Sequence, residues 1–92
     1  MIKRLAITVT GRVQGVGFRY FTEDVANSLG LAGWVRNNPE RTVECEVQGE
    51  EDVLEEFCKQ LRKGPPLSRV KDLLVTEVPV VDGHGFDFEI AH

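Results

Sequence analysis

The sequence predicts an α+β fold: a split β-α-β-β-α-β unit with a fifth strand, an antiparallel sheet with two helices on one face. Three observations predict it. Apolar and polar residues alternate with a period of two over 3–12, 42–48 and 86–90, the pattern of half-buried strands. Two stretches of helical spacing, 20–29 and 53–61, lie between strand-like segments. Each strand has one apolar and one polar face, which suits helices packed on one side of the sheet only.

The elements follow in order. Leu5, Ile7 and Val9 alternate with Arg4, Ala6, Thr8 and Thr10 and define β1 over 3–12. A glycine-rich turn follows, and Phe21, Val25, Ala26 and Leu29 mark α1 over 20–29, with Gly30 as its stop. Residues 34–37 form a short β2, and Asn38-Pro39-Glu40-Arg41 turns the chain. Val43, Cys45 and Val47 then oppose Glu44, Glu46 and Gln48 in β3 over 42–48, which pairs with β2 as a hairpin and ends at Gly49. Glu50, Glu51 and Asp52 suit a helix start, where the dipole favours anions. Val53, Leu54, Phe57, Cys58 and Leu61 form the apolar face of α2, and Gly64-Pro65-Pro66 stops it. Residues 70–78 make β4, with a bulge or register shift expected around Asp72-Leu73-Leu74. After a turn at 82–85, Phe86, Phe88 and Ile90 define β5. The order is that of the ferredoxin-like split βαβ.

Ninety-two residues make one domain, 1–92. The net charge is −4 and the pI about 5.1, which argues against nonspecific binding to nucleic acid or to a membrane surface. Residues 1–41 carry +3 and residues 42–92 carry −7, so an anionic ligand should seek the first half. No apolar run approaches the ~20 residues of a membrane span. The opening residues read as a strand rather than a signal peptide, so a cytoplasmic monomer is expected. Cys45 and Cys58 are too few for a disulfide scaffold; two buried thiols are the expected reading, and a bridge between them stays open.

The residues with chemical potential lie between β1 and α1. Gly15 and Gly17 let backbone approach a ligand closely. The turn opens into a helix, whose free N–H groups attract anions, and Arg19 adds a planar fork matched to phosphate. Two glycines alone read more readily as an ordinary tight βα turn with a solvated arginine. There is no Gly-Lys-Ser/Thr, and a dinucleotide fingerprint would need glycine where Tyr20 stands. Asn37, at the end of β2, is either a turn residue bonding its own backbone or a site residue. The pattern does not settle whether it meets Arg19. His84 and His92 have no cysteine or histidine cluster near them in sequence, so no metal and no cofactor are expected.

Gly11-Arg12-Val13-Gln14-Gly15-Val16-Gly17-Phe18-Arg19 resembles the signature of the acylphosphatases, and Gly33-Trp34-Val35-Arg36-Asn37 with Val43 and Gly49 resembles their second signature. The similarity runs nearly end to end, through Thr22-Glu23-Asp24 and Gly64-Pro65-Pro66. It implies that the backbone amides of Gln14, Gly15, Val16, Gly17, Phe18 and Arg19 cradle a phosphate, that Arg19 clamps it and that Asn37 orients the attacking water. The implied reaction is hydrolysis of the carboxyl–phosphate bond of small-molecule acyl phosphates. The family usually has glycine where Arg41 stands, and the β2–β3 turn is therefore expected to differ locally. The residue types agree with this chemistry. Amides, a guanidinium and a carboxamide offer no nucleophile and no titrating base, but a carboxylate leaves without a proton. The competing readings are a phosphate-binding relative without turnover and an RNA-binding ferredoxin-like module. The second would normally show stacking aromatics and basic surroundings.

Overall fold

The computed structural model describes residues 1–82 and 87–91. Most of the turn read at 82–85, Phe86 and both histidines lie outside these residues. The chain runs β1 (Ile2–Arg12), α1 (Phe18–Ser28), β2 (Ala32–Asn37), β3 (Val43–Glu50), α2 (Glu51–Lys63), β4 (Arg69–Val78) and β5 (Phe88–Ile90). The strand order is β4-β1-β3-β2-β5, the split βαβ arrangement. Strands β4, β1, β3 and β2 pair antiparallel, whereas β5 adds to β2 in parallel. The five-stranded sheet is therefore mixed rather than wholly antiparallel. The segment after β4 has to cross from one edge of the sheet to the other, and it delivers β5 in the direction of β2.

Several limits differ from the sequence reading, and four of the differences have a local reason. Helix α1 starts two residues early, because left-handed Gly17 is its N-cap. Strand β2 takes in Ala32 and Gly33, which pair with Gln48 and Val47. Gly49 does not end β3, because it still pairs with Lys3 of β1. The irregularity on β4 falls one residue before the expected stretch: Thr10 faces Asp72 and Gly11 faces Val70, which leaves Lys71 as the extra residue.

The core is the apolar face of the sheet closed by the helices. Ile7, Val9, Val35, Val43, Cys45 and Val47 meet Val25 and Ala26 of α1 and Leu54, Phe57, Cys58 and Leu61 of α2. Removing one large member, as in Phe57→Ala, costs about 3–5 kcal/mol. Both cysteines are free and buried. Burial pushes the Cys45 thiol far above its ordinary range and raises that of Cys58, where the neighbouring Arg62 works against the shift.

One buried charge was not foreseen. Arg4 is 3% exposed; its Nε donates to Glu46 Oε1 at 2.7 Å and its Nη1 to Gln48 Oε1 at 3.2 Å. The Gln48 carboxamide also clasps the chain after β4. Its Nε2 donates to Val81 O at 3.1 Å, and its Oε1 accepts from Val81 N at 2.9 Å. Glu46, Arg4, Gln48 and Val81 thus form one network that holds this segment at the sheet.

Candidate active site

The ladder decides which end of the sheet Asn37 occupies. Strands β1 and β2 are both antiparallel to β3, so they run in the same direction. Val9 and Asn37 both register with Val43, one from each side. Asn37 therefore lies at the end of the sheet from which β1 leaves for α1. As the partner of buried Val43, it also belongs to the helix-covered face.

The loop at 13–17 is anchored at both ends and open in between. Val13 and Phe18 are each 1% exposed, while Gly15 and Gly17 are exposed. Phe18 packs edge-on against Phe21 at 5.8 Å. Gly15 and Gly17 have φ of 73° and 76°, while Gln14, Val16 and Phe18 between and beside them stay out of the left-handed region. Such alternation of hand turns successive N–H groups toward one side and forms an anion-binding concavity. The loop runs into α1, where Phe21 N makes the first backbone bond, to Gly17 O at 3.0 Å. No side chain caps the N–H groups before it, so the helix end presents them to the loop. Arg19 stands in this first turn, half-buried. Among the described residues, neither its guanidinium nor the exposed Asn37 carboxamide has a hydrogen-bond or ion-pair partner.

A side chain that the sequence reading valued only for its backbone joins the loop to the hairpin. Gln14 Nε2 donates to Asn38 O at 2.8 Å and to Thr42 O at 2.9 Å. The same two carbonyls accept the hairpin's own bonds, from Arg41 N at 3.0 Å and Asn38 N at 2.8 Å. The Asn38 side chain braces the turn through Glu40 N at 2.9 Å and Glu44 at 3.2 Å. One available signal was a long polar residue inside an otherwise small and apolar loop.

The β2–β3 turn corrects one expectation. Arg41 has φ of 67° and is the only non-glycine residue with positive φ among those described. The left-handed backbone is present, and arginine occupies it at a cost of about 1 kcal/mol. Arg36 is committed elsewhere: it pairs with Glu44 and stands 5.3 Å from the Trp34 ring. The acidic start of α2 lies at the opposite end of the sheet, where Met1 N meets Glu50 at 2.8 Å and Lys3 meets Glu51 at 3.0 Å. Among the described residues no group of three or more His, Cys, Asp or Glu is placed to hold a metal ion, and no helix is long and apolar enough to cross a membrane.

The acylphosphatase family model matches residues 5–90. The chain belongs to the acylphosphatase family. An acylphosphatase of Bacillus pumilus is 48% identical over 82 residues, which cover 89% of this chain and 90% of that one. The crystal structure of acylphosphatase from Bacillus subtilis superposes with a TM-score of 0.93 at 42% identity, covering all of both chains. An acylphosphatase structure from Coxiella burnetii gives a TM-score of 0.91 at 34% identity, over 98% of this chain and 93% of that one. This acylphosphatase is thus an acyl phosphate hydrolase by family, built on the same fold from end to end.

Proposed function

We propose that this acylphosphatase binds the phosphoryl group of an acyl phosphate in the loop at 14–19 and hydrolyses it with a water held by Asn37. The observation that carries this reading is the meeting, at one end of the sheet, of an alternating-hand loop, an uncapped helix start bearing Arg19, and Asn37. The amides of Gln14, Gly15, Val16, Gly17, Phe18 and Arg19 accommodate the phosphoryl oxygens. The Arg19 guanidinium offsets their charge as the bond to the carboxyl oxygen lengthens. The Asn37 carboxamide accepts a hydrogen bond from the water and aims its oxygen at phosphorus. As the P–O bond to water forms, the P–O bond to the carboxyl group breaks and its electron pair leaves on the carboxylate. A phosphoryl oxygen takes the water's proton, because neither Asn37 nor Arg19 can act as base near neutral pH. There is no covalent enzyme intermediate, and no protein group is needed to protonate the product. The same economy excludes alkyl phosphates, whose alkoxides leave poorly without an acid.

Benzoyl phosphate in excess EDTA tests the reading through loss of substrate absorbance. Turnover supports it. Phosphate protection against unfolding without turnover would replace it with a binding relative, and oligonucleotide binding at ordinary salt with an RNA module. Asn37→Ala separates the roles: inorganic phosphate should still inhibit or protect as in the wild type while turnover collapses. Full turnover in that variant would remove Asn37 from the mechanism.

A further inference from the structure

Strand β4 forms one edge of the sheet and runs for ten residues without a proline. The opposite edge, β5, has three. Among the described residues β4 pairs only with β1, so alternate N–H and C=O groups along its outer side are left for water. The bulge is confined to Lys71, and Asp72–Val78 keeps a regular register with β1. Two large apolar side chains stand exposed in the middle of this stretch, Leu74 at 59% and Val75 at 41%. They belong to opposite faces of the sheet: Val75 registers with buried Ile7 and Leu74 with Thr8. Helix α2 does not close over Val75, which lines a groove along the edge with Leu5, Leu54 and Cys58. A long edge with exposed apolar residues is a template for another strand.

The residues of β4 say which strand fits. Two copies paired antiparallel about a two-fold axis normal to the sheet keep each face continuous, so opposed residues share a face. Centred on Leu73, such a pairing sets Lys71 against Val75 and Asp72 against Leu74. Centred on Val75, it sets Leu73 against Glu77 and Asp72 against Val78. Centred on Leu74, it sets Lys71 against Glu77, Asp72 against Thr76, Leu73 against Val75 and Leu74 against its own copy. Of the three, only the last joins opposite charges, twice by symmetry, and puts apolar residues against apolar ones. Both charges are available. The Glu77 side chain is 62% exposed with Lys3 at 3.7 Å, and exposed Lys71 has no carboxylate partner among the described residues. Pro79, which lacks an N–H, ends the paired stretch. We propose that β4 docks against β4 of a second copy of this chain, centred on Leu74, and joins the two sheets into one. A single strand pair falls below the roughly 1,200–2,000 Å² of a stable interface, so the dimer is weak and fills only at high concentration.

Sedimentation equilibrium from about 10 μM to about 1 mM tests this, the range in which a weak contact of this kind dissociates. The wild type should pass from monomer to dimer within it. Lys71→Glu and Glu77→Lys should each raise the dissociation constant about tenfold, because each turns two attractive pairs into two repulsive ones. The double variant Lys71→Glu/Glu77→Lys should restore the wild-type value. Leu74→Lys, which opposes two like charges at the two-fold axis, should stay monomeric. Far-UV circular dichroism checks that each variant is folded, and benzoyl phosphate turnover per chain should be unchanged in all of them. A wild type that is monomeric at about 1 mM overturns the dimer. So does a Leu74→Lys variant that associates as the wild type does, because the contact then lies elsewhere. A double variant no tighter than the single ones overturns the register. If Leu74→Lys fails to fold, the exposed charge reversals decide alone.

Discussion

Two arginines near the loop at 13–17 illustrate how backbone and side chain separate. Arg19 sits in ordinary helix and is half-buried, so its replacement should touch function far more than folding. Arg19→Ala should weaken inhibition by inorganic phosphate by about 1.5–3 kcal/mol, roughly ten- to a hundredfold, and lower turnover more. Its unfolding free energy should stay within about 0.5 kcal/mol of wild type. Equal losses in phosphate binding and stability would make Arg19 a structural residue. Arg41 is the reverse case, exposed and left-handed at φ 67°. Arg41→Gly should raise stability by up to about 1 kcal/mol, which for a domain of this size moves Tm upward by about 4–8 °C. A lower Tm would mean that the arginine side chain stabilises the hairpin by more than its backbone strain costs.

Between elements, the tie that matters is Gln14. Its two bonds fasten the loop to the β2–β3 hairpin, yet each carbonyl it uses keeps a second donor. Gln14→Ala should therefore cost only about 1 kcal/mol of stability. Its kcat/KM for benzoyl phosphate should fall more than that loss suggests, because an ångström of drift between loop and Asn37 can cost a hundredfold. Retention of full activity would show that the loop holds its shape unaided. The same tie marks where the sequence stops being readable. Period-two alternation in β1 and β3 and helical spacing in α1 and α2 identified these four elements and the face each one buries. They did not reveal that β2 ends beside the loop, because that depends on the Val9–Val43–Asn37 register across three strands. Nor did they show Arg4 inside the protein. Its burial depends on a network with Glu46 and Gln48 on another strand, and no local pattern encodes it. The bulge was read one residue late because periodicity on β4 alone cannot say which residue its neighbour leaves unpaired.

At the scale of the molecule, the thiols set an alkaline limit. Cys45 is fully enclosed, and burial holds its thiol far above its ordinary range; Cys58 is raised as well. The folded state keeps these protons while the unfolded chain releases them above about pH 8.5. The unfolded state then binds fewer protons, so stability is full below that pH and falls as pH rises. Chemical denaturation at pH 7 and pH 10 should show this decline, and Cys45→Ala should flatten it although it starts lower. An equally steep decline in that variant would assign the effect to the amino groups of Met1 and Lys3, whose ion pairs with Glu50 and Glu51 weaken in the same direction.

The shared direction of β1 and β2 has a further consequence. Neither strand touches the other; β3 stands between them as the common reference. Sliding β3 by one residue along β1 would carry the hairpin about 3.4 Å, farther than any reacting pair tolerates. The same slip would turn Val43, Cys45 and Val47 out to water and Glu44 and Glu46 into the interior. The greasy side of one strand is therefore also a measuring stick: in the proposed mechanism, the aversion of three small side chains to water sets how far a water molecule stands from phosphorus.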